Sequence, residues 1–124
     1  MRKVLVIEDN KDNLRLVEYA LHRAGYEVIR AERGEEGIEL AVTEKPFFII
    51  MDINLPGIDG IEAARRIRNS EAGRYIPIIA VTSYAMQGDR ERMMAADCNG
   101  YIEKPIDPIT IVDRIHEIIG VTGK

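Results

Sequence analysis

Hydrophobic and polar positions follow two alternating patterns along the chain. Short runs of apolar, often β-branched residues are each followed by a segment in which apolar residues recur every three or four positions, and the pair occurs five times. The first pattern predicts buried strands, and the second predicts helices with one apolar face. The predicted strands occupy residues 3–7, 26–30, 47–51, 77–81 and 100–102. Five strand–helix units predict a parallel sheet with helices on both faces and right-handed connections.

The composition of the predicted strands indicates their order in the sheet. The runs VLVI, FFIIM and IIAV are continuously apolar, as strands covered on both faces must be, whereas YEVIR and GYIEK carry charges that are typical of edge strands. The second and fifth strands are therefore placed at the edges. This fits the order 2-1-3-4-5, in which the ligand crevice lies at the carboxyl ends of strands 1 and 3. The expected fold is a flavodoxin-like (βα)5 three-layer sandwich with a five-stranded parallel sheet.

Composition and charge limit the class of protein. With 124 residues, 46% of them hydrophobic and 31% charged, the chain has the profile of one globular domain spanning residues 1–124. The single cysteine, Cys98, excludes an internal disulfide and any CxxC motif. No signal peptide is recognised, and no apolar run approaches the roughly 18 residues of a membrane span, so we expect a cytoplasmic protein without a membrane partner. The net charge of -4 argues against a nucleic-acid partner.

Three carboxylates follow the two strands that border the predicted crevice. Glu8 and Asp9 come directly after the first strand, and Asp52 ends the third. Carboxylates gathered at one place repel each other and raise each other's pKa, so the cluster calls for a cation. Oxygen ligands without histidine or cysteine suit Mg²⁺. The alternative is that Glu8 and Asp9 only cap the first helix.

Two further strands end in residues that complement these acids. Thr82 ends the fourth strand and Lys104 follows the fifth, so a hydroxyl and an ammonium face the same edge of the sheet. A magnesium ion, a lysine and a hydroxyl donor around a carboxylate together favour a phosphoryl group carried on that carboxylate, because its oxygens need charge-assisted partners.

Four stretches carry a resemblance to a known family. They are VLVIEDN at residues 4–10, MDINLPGIDG at residues 51–60, AVTSYAM at residues 80–86 and GYIEKPID at residues 100–107. With the segments between them they cover essentially the whole chain. The sequence resembles the receiver domain of two-component response regulators.

The resemblance implies a phosphorylation site with its metal. Asp52 would accept a phosphoryl group from a sensor histidine kinase or a histidine phosphotransfer protein. Asp9, Asp52 and the backbone carbonyl of Asn54 would bind Mg²⁺, and Glu8 would contact the ion through water. Enzymatic activity would be limited to the domain's own phosphorylation and dephosphorylation.

The resemblance also implies a switch. Lys104 would pair with the phosphoryl group, Thr82 would turn inward to hydrogen-bond it, and Tyr101 would rotate from exposed to buried. Pro105 would follow a cis peptide bond, which X–Pro bonds adopt at modest energy. A protein target would dock on the face formed by the fourth helix, the fifth strand and the fifth helix.

Several functional alternatives remain open. A start at Met1 favours a stand-alone interaction module, but a phosphorelay intermediate or an excised receiver of a larger regulator or hybrid kinase fits the same residues. A haloacid-dehalogenase-type phosphatase would need a DxD nucleophile after the first strand, where this chain has Glu8, Asp9 and Asn10. A flavodoxin-type FMN carrier would need a phosphate-binding loop there, and the acids would repel the phosphate.

Three other positions are assigned ordinary roles. His116 stands alone on the fifth predicted helix and is expected to be solvated or packed. Cys98 is expected to be a buried small apolar residue. Asp97 lies after the fourth predicted helix, where relatives often have glycine, and is therefore expected to adopt a positive φ.

Overall fold

The computed structural model describes residues 2–83 and 87–120, without the side chains of residues 87–89, and within them strands and helices alternate. The strands are β1 (Lys3–Ile7), β2 (Glu27–Ala31), β3 (Ile49–Asp52), β4 (Ile78–Thr82) and β5 (Gly100–Glu103). The helices are α1 (Lys11–Arg23), α2 (Gly34–Glu44), α3 (Gly60–Asn69), α4 (Gln87–Ala95) and α5 (Ile111–Ile119). None of the described helices is long and apolar enough to cross a membrane.

All strand pairs are parallel, and the sheet order is β2-β1-β3-β4-β5, which confirms the predicted topology. β3 and β4 are buried along their whole length, while β2 and β5 are partly exposed at the edges. The third strand begins later than predicted. Phe47 belongs to the approach to β3, where its N–H donates to the carbonyl of Lys3 at 2.8 Å.

The sheet buries apolar side chains on both of its faces. Because successive residues of a strand point to opposite sides, Leu5 and Ile7 of β1 pack on the face covered by α2, α3 and α4, and Val4 and Val6 pack on the face covered by α1 and α5. This arrangement leaves the carboxyl ends of the strands as an uncovered edge.

Side chains fix where two of the helices begin at that edge. The Oδ1 atom of Asn10 accepts a hydrogen bond from the N–H of Asn13 at 3.0 Å, and Oδ1 of Asp59 accepts one from the N–H of Glu62 at 2.9 Å. These N-caps satisfy backbone donors that the first turns of α1 and α3 leave unpaired. The connections that follow β1 and β3 are thereby tied to helix starts.

The guanidinium of Arg68 joins two connections at the opposite edge of the sheet. Its Nη1 donates to the carbonyls of Ile76 and Gly73 at 2.7 and 3.0 Å, and its Nη2 donates to the carbonyl of Asp97 at 2.8 Å and to Oδ1 of Asn99 at 3.1 Å. Asp97 has the expected positive φ, 60°. Burial lowers the pKa of Arg68 from its ordinary value. The α3–β4 and α4–β5 connections therefore share one donor group.

We predict that Arg68→Lys destabilises the fold. The lysine ammonium cannot reach all the acceptors that the two Nη groups of the arginine guanidinium bind, so some of these backbone carbonyls lose their hydrogen-bond donor. The free energy of unfolding should therefore fall by about 2 kcal/mol. Urea unfolding curves measure this. Arg65→Lys is the matched control, because Arg65 makes an exposed pair with Glu62 at 3.2 Å and should change stability by less than about 0.5 kcal/mol. Equal effects of the two substitutions would contradict the assignment.

Candidate functional site

Three acids meet where β1 and β3 end. One carboxylate oxygen each from Glu8, Asp9 and Asp52 lies within 4.8 Å of the others. Glu8 and Asp52 are each only 3% exposed, whereas Asp9 faces solvent. The strands that carry them are neighbours, with Ile7 opposite Met51. The structure therefore brings together the acids that the sequence places at the crevice.

Lys104 brings a positive charge to two of these acids. Its Nζ lies 3.1 Å from Oδ2 of Asp52 and 3.4 Å from Oε1 of Glu8. The side chain starts after β5, and the N–H of Lys104 donates to the carbonyl of Thr82 on β4 at 2.8 Å. The lysine therefore reaches from the edge of the sheet to its centre and offsets part of the negative charge.

Backbone amides hold the remaining carboxylate oxygens. The N–H of Asn54 donates to Oδ1 of Asp52 at 3.0 Å, and the N–H of Asn10 donates to Oε2 of Glu8 at 3.2 Å. Asp52 thus has an amide on one oxygen and an ammonium on the other. Both buried acids are oriented by groups that belong to the loops after β1 and β3.

Gly60 lets α3 begin directly against the backbone that carries Asp52. A Cβ atom at position 60 would collide with the carbonyl oxygen of Asp52 and would lie 2.6 Å from Cα of Ile53. The N–H of Gly60 also donates to the carbonyl of Ile53 at 3.0 Å, which closes the loop. We did not predict this role for Gly60 from the sequence. Its signal is a glycine placed directly after the helix cap Asp59 and close in sequence to a buried strand.

The other predicted residues Thr82, Tyr101 and Pro105 lie on β4, on β5 and just after β5. Thr82 is fully buried at the end of β4. Tyr101 is half-buried against the core on the α2–α4 side, and the guanidinium carbon of Arg90 lies 5.5 Å from the centre of its ring. The Lys104–Pro105 peptide bond is cis. The last residues of the AVTSYAM stretch, 84–86, lie outside the described residues.

Burial raises the pKa of Glu8 from 4.5 to about 7. The hydrogen bond to Asp52 and the repulsion from its charge add to this effect, while the Asn10 N–H and the Lys104 ammonium oppose it. The cluster therefore favours either a proton or a cation. Its donors are all carboxylate oxygens, two of them from buried side chains, and this set fits Mg²⁺.

Two sequence comparisons identify proteins similar to this chain. A family model described as the response regulator receiver domain matches residues 4–116. The polar-differentiation response regulator DivK of Brucella anthropi is 38% identical over 119 residues, which are 96% of this chain and 97% of the relative.

Solved structures give the same result. The receiver domain of the sensor histidine kinase PA1611 from Pseudomonas aeruginosa, with a magnesium ion coordinated in its active-site cleft, superimposes with a TM-score of 0.87 at 37% identity, covering 96% of this chain and 98% of that domain. The chemotaxis response regulator CheY4 of Vibrio cholerae has a TM-score of 0.90 at 28% identity, covering 95% of this chain and 98% of CheY4.

We predict that the metal-free protein loses stability as the pH rises from about 4.5 to about 7. The pKa of Glu8 is 4.5 before folding and about 7 in the fold, so the native state retains a proton that the unfolded chain loses in this interval. The stabilisation is complete below pH 4.5 and is lost as the pH passes 7. Urea unfolding in EDTA should show a decrease of about 1 to 3 kcal/mol attributable to Glu8.

Glu8→Gln is the control for this titration. The glutamine amide cannot ionise, so the variant should lack the loss of stability that ionisation of Glu8 causes. The difference between the two plots of unfolding free energy against pH should therefore equal the contribution of Glu8. Added Mg²⁺ should flatten the wild-type profile, because a cation favours the ionised carboxyl. Parallel profiles for the two proteins in EDTA would show that Glu8 does not titrate in this range.

Proposed function

Because this chain belongs to the response regulator receiver domain family, we propose that Asp52 is its phosphorylation site and that the donor is a phosphohistidine of a sensor histidine kinase or a histidine phosphotransfer protein. One observation carries the choice of Asp52. The Asn54 N–H holds one of its oxygens at 3.0 Å and Lys104 Nζ holds the other at 3.1 Å, whereas the equivalent contacts of Glu8 are longer, at 3.2 and 3.4 Å. Burial also raises the pKa of Glu8 to about 7, so Glu8 is partly protonated near neutral pH and is the poorer nucleophile. The Asp52 carboxylate is thus oriented for attack.

The reaction exchanges one bond to phosphorus for another. An oxygen of the Asp52 carboxylate attacks the phosphorus atom, the P–N bond of the phosphohistidine breaks, and its electron pair stays on the imidazole nitrogen of the donor. The product is an acyl phosphate on Asp52. No further substrate is turned over, so the chemistry of the domain is its own phosphorylation and dephosphorylation.

The acid cluster would hold the magnesium ion that assists this transfer. Asp9, Asp52 and the backbone carbonyl of Asn54 would bind the ion, and Glu8 would contact it through water. When bound, Mg²⁺ neutralises the negative charge on the phosphoryl oxygens. The clustering of the three carboxylates within 4.8 Å supports this assignment.

Lys104 and Thr82 would respond to the phosphoryl group. Lys104 Nζ already lies against Asp52, so it can follow the negative charge onto the new phosphoryl oxygens. Thr82 is one strand away from Asp52, with Asp52 opposite Val81, and its hydroxyl would donate to the same group. Both contacts exist only after phosphorylation, and such contacts shift a two-state equilibrium.

Tyr101 would couple phosphorylation of Asp52 to a change at the protein surface. It is paired with Ala80 of β4, two residues before Thr82, and its ring is half-buried, so an inward turn would bury the part that is now exposed. The face formed by α4, β5 and α5 would then bind a protein target.

A second role is phosphorelay. It is favoured by the similarity to a receiver domain that belongs to a sensor histidine kinase. As a relay intermediate, the domain would pass its phosphoryl group on to a histidine of a phosphotransfer protein, which is the same exchange of bonds in reverse. Recovery of the label on an added phosphotransfer protein would distinguish this role.

We predict that Asp52→Asn abolishes phosphorylation. A small acyl phosphate with Mg²⁺ should add one phosphoryl group to the wild type, labile to hydroxylamine, and none to the variant, as measured by intact mass spectrometry. Asp59→Asn is the matched control, since Asp59 is an exposed acid in the same loop and an asparagine can still cap α3. Full labelling of the Asp52 variant would exclude this acceptor.

We predict that Thr82→Ala separates phosphorylation from the response. The variant should still be labelled, but losing a charge-assisted hydrogen bond removes about 1.5 to 3 kcal/mol of bias toward the active state. The active fraction should therefore change roughly tenfold or more. Amide NMR shifts around Tyr101, with and without the phosphodonor, measure this. Thr82→Ser, which keeps the hydroxyl, should retain the response, and a complete response in Thr82→Ala would exclude Thr82 as the coupling residue.

A further inference from the structure

An open groove of about 460 Å³ runs between β5 and α5. Its floor is apolar, with Ile111 buried, Ile102 half-buried and the half-buried ring of Tyr101 at one side. Its rim carries the exposed acids Glu103 and Asp113. The groove thus combines an apolar surface with a charged border, which is the composition of a protein-binding site.

The charge on this rim is strongly one-sided. Four carboxylates, from Glu103, Asp107, Asp113 and Glu117, line the groove against one guanidinium, that of Arg114. Asp107 is engaged locally, because its Oδ1 accepts the N–H of Ile109 at 2.9 Å. The other three acids make no ion pair with any described residue. Their charges are therefore available to a partner.

Apart from Arg114, three cations on α4 and directly after β5 contact groups other than the rim acids. Arg90 lies over the ring of Tyr101, Arg92 pairs with Asp59 at 3.5 Å, and Lys104 pairs with Asp52 at 3.1 Å. The protein therefore does not neutralise the rim with its own α4 side chains. A second copy of the chain carries a net charge of -4, so it is a poorer complement to the acidic rim than a separate cationic partner.

We propose that this groove binds a cationic segment of the target protein, one in which lysine or arginine side chains flank one or two apolar side chains. The inference rests on the proposed function and adds the chemistry of the partner. Apolar contact with Ile102 and Ile111 supplies affinity, and the rim acids supply specificity and faster association. Binding should weaken as salt is added, because exposed charges are screened.

The groove and the phosphorylation site share one chain segment, β5 and the residues that follow it. Tyr101 forms part of the groove wall, and Glu103 directly precedes Lys104 on the same chain segment. Glu103 is also paired with Thr82 across the β4–β5 ladder. A turn of Tyr101 would change this wall of the groove, so phosphorylation of Asp52 should change the affinity for the cationic segment.

Two synthetic peptides of equal length test the proposal. One is a helical peptide of lysine and leucine, and the other has glutamate in place of every lysine. The double variant Asp113→Lys with Glu117→Lys changes the groove. The double variant Glu27→Lys with Glu39→Lys is the matched control, because these exposed acids make no described ion pair and lie on β2 and α2 at the opposite edge of the sheet.

The expected result is selective loss of binding. The groove variant should bind the lysine peptide at least about tenfold more weakly than the wild type, and the control variant should stay within about twofold. The lysine peptide should shift the amide NMR signals of Ile102 and Ile111, and the glutamate peptide should not bind. Labelling of Asp52 should be unchanged in both variants, since none of these four acids lies in the site, and the loss of Asp113 from the first turn of α5 should lower the melting temperature only slightly.

Three results would overturn the proposal. Equal loss in both variants would mean diffuse attraction to an acidic protein. Shifts confined to another face would place the peptide elsewhere. Concentration-dependent self-association that the groove variant abolishes would identify a second copy as the occupant. Peptide binding is measured first on the unmodified protein, so a failure of Asp52 labelling would overturn the proposed function without deciding the groove.

Discussion

The structure depends on one electrostatic constraint, the burial of two carboxylates beside a third with one ammonium between them. Within the described residues, Lys104 pairs with both Glu8 and Asp52, and Asp9 adds another negative charge at the solvent side. One positive charge cannot balance three negative ones, and burial, together with the neighbouring Asp52, raises the pKa of Glu8. A bound cation would therefore stabilise this site.

The fold creates this constraint through topology and maintains it through backbone contacts. A parallel sheet gathers the carboxyl ends of its strands at one edge, and the order β2-β1-β3-β4-β5 leaves that edge open beside β1 and β3. Gly60 allows α3 to start against Asp52, and the N–H groups of Asn10 and Asn54 orient Glu8 and Asp52. Uncharged backbone groups thus keep the two mutually repelling carboxylates close together.

The features predicted correctly from the sequence are those that depend on local hydrophobic pattern and on strand order. Continuous apolar runs and charged edge strands were enough for the topology, and strand ends were enough for the convergence of Glu8, Asp9 and Asp52. Contacts between distant residues were not predictable. His116 is packed as expected, but nothing in the sequence indicates that it shares a hydrogen bond of 2.8 Å with the hydroxyl of Tyr26, ninety positions away. The hydrogen bonds from Arg68 to the carbonyls of Ile76 and Asp97 were not predictable either, because the geometry of the two connections decides which carbonyls the guanidinium reaches.

The intermediate position of Tyr101 sets how much energy a switch would need. A fully buried tyrosine would be held in place by its packing, and a fully exposed one would have no packing to exchange. Tyr101 is half-buried against the core while Arg90 covers its ring from α4, so the ring has packing partners both inside and at the surface. If Tyr101 turns inward as proposed, its ring exchanges the contact with Arg90 for packing against the core and does not simply lose contacts. A charge-assisted contact of about 1.5 to 3 kcal/mol at Thr82 or Lys104 would then shift the ratio of the two positions by roughly tenfold or more.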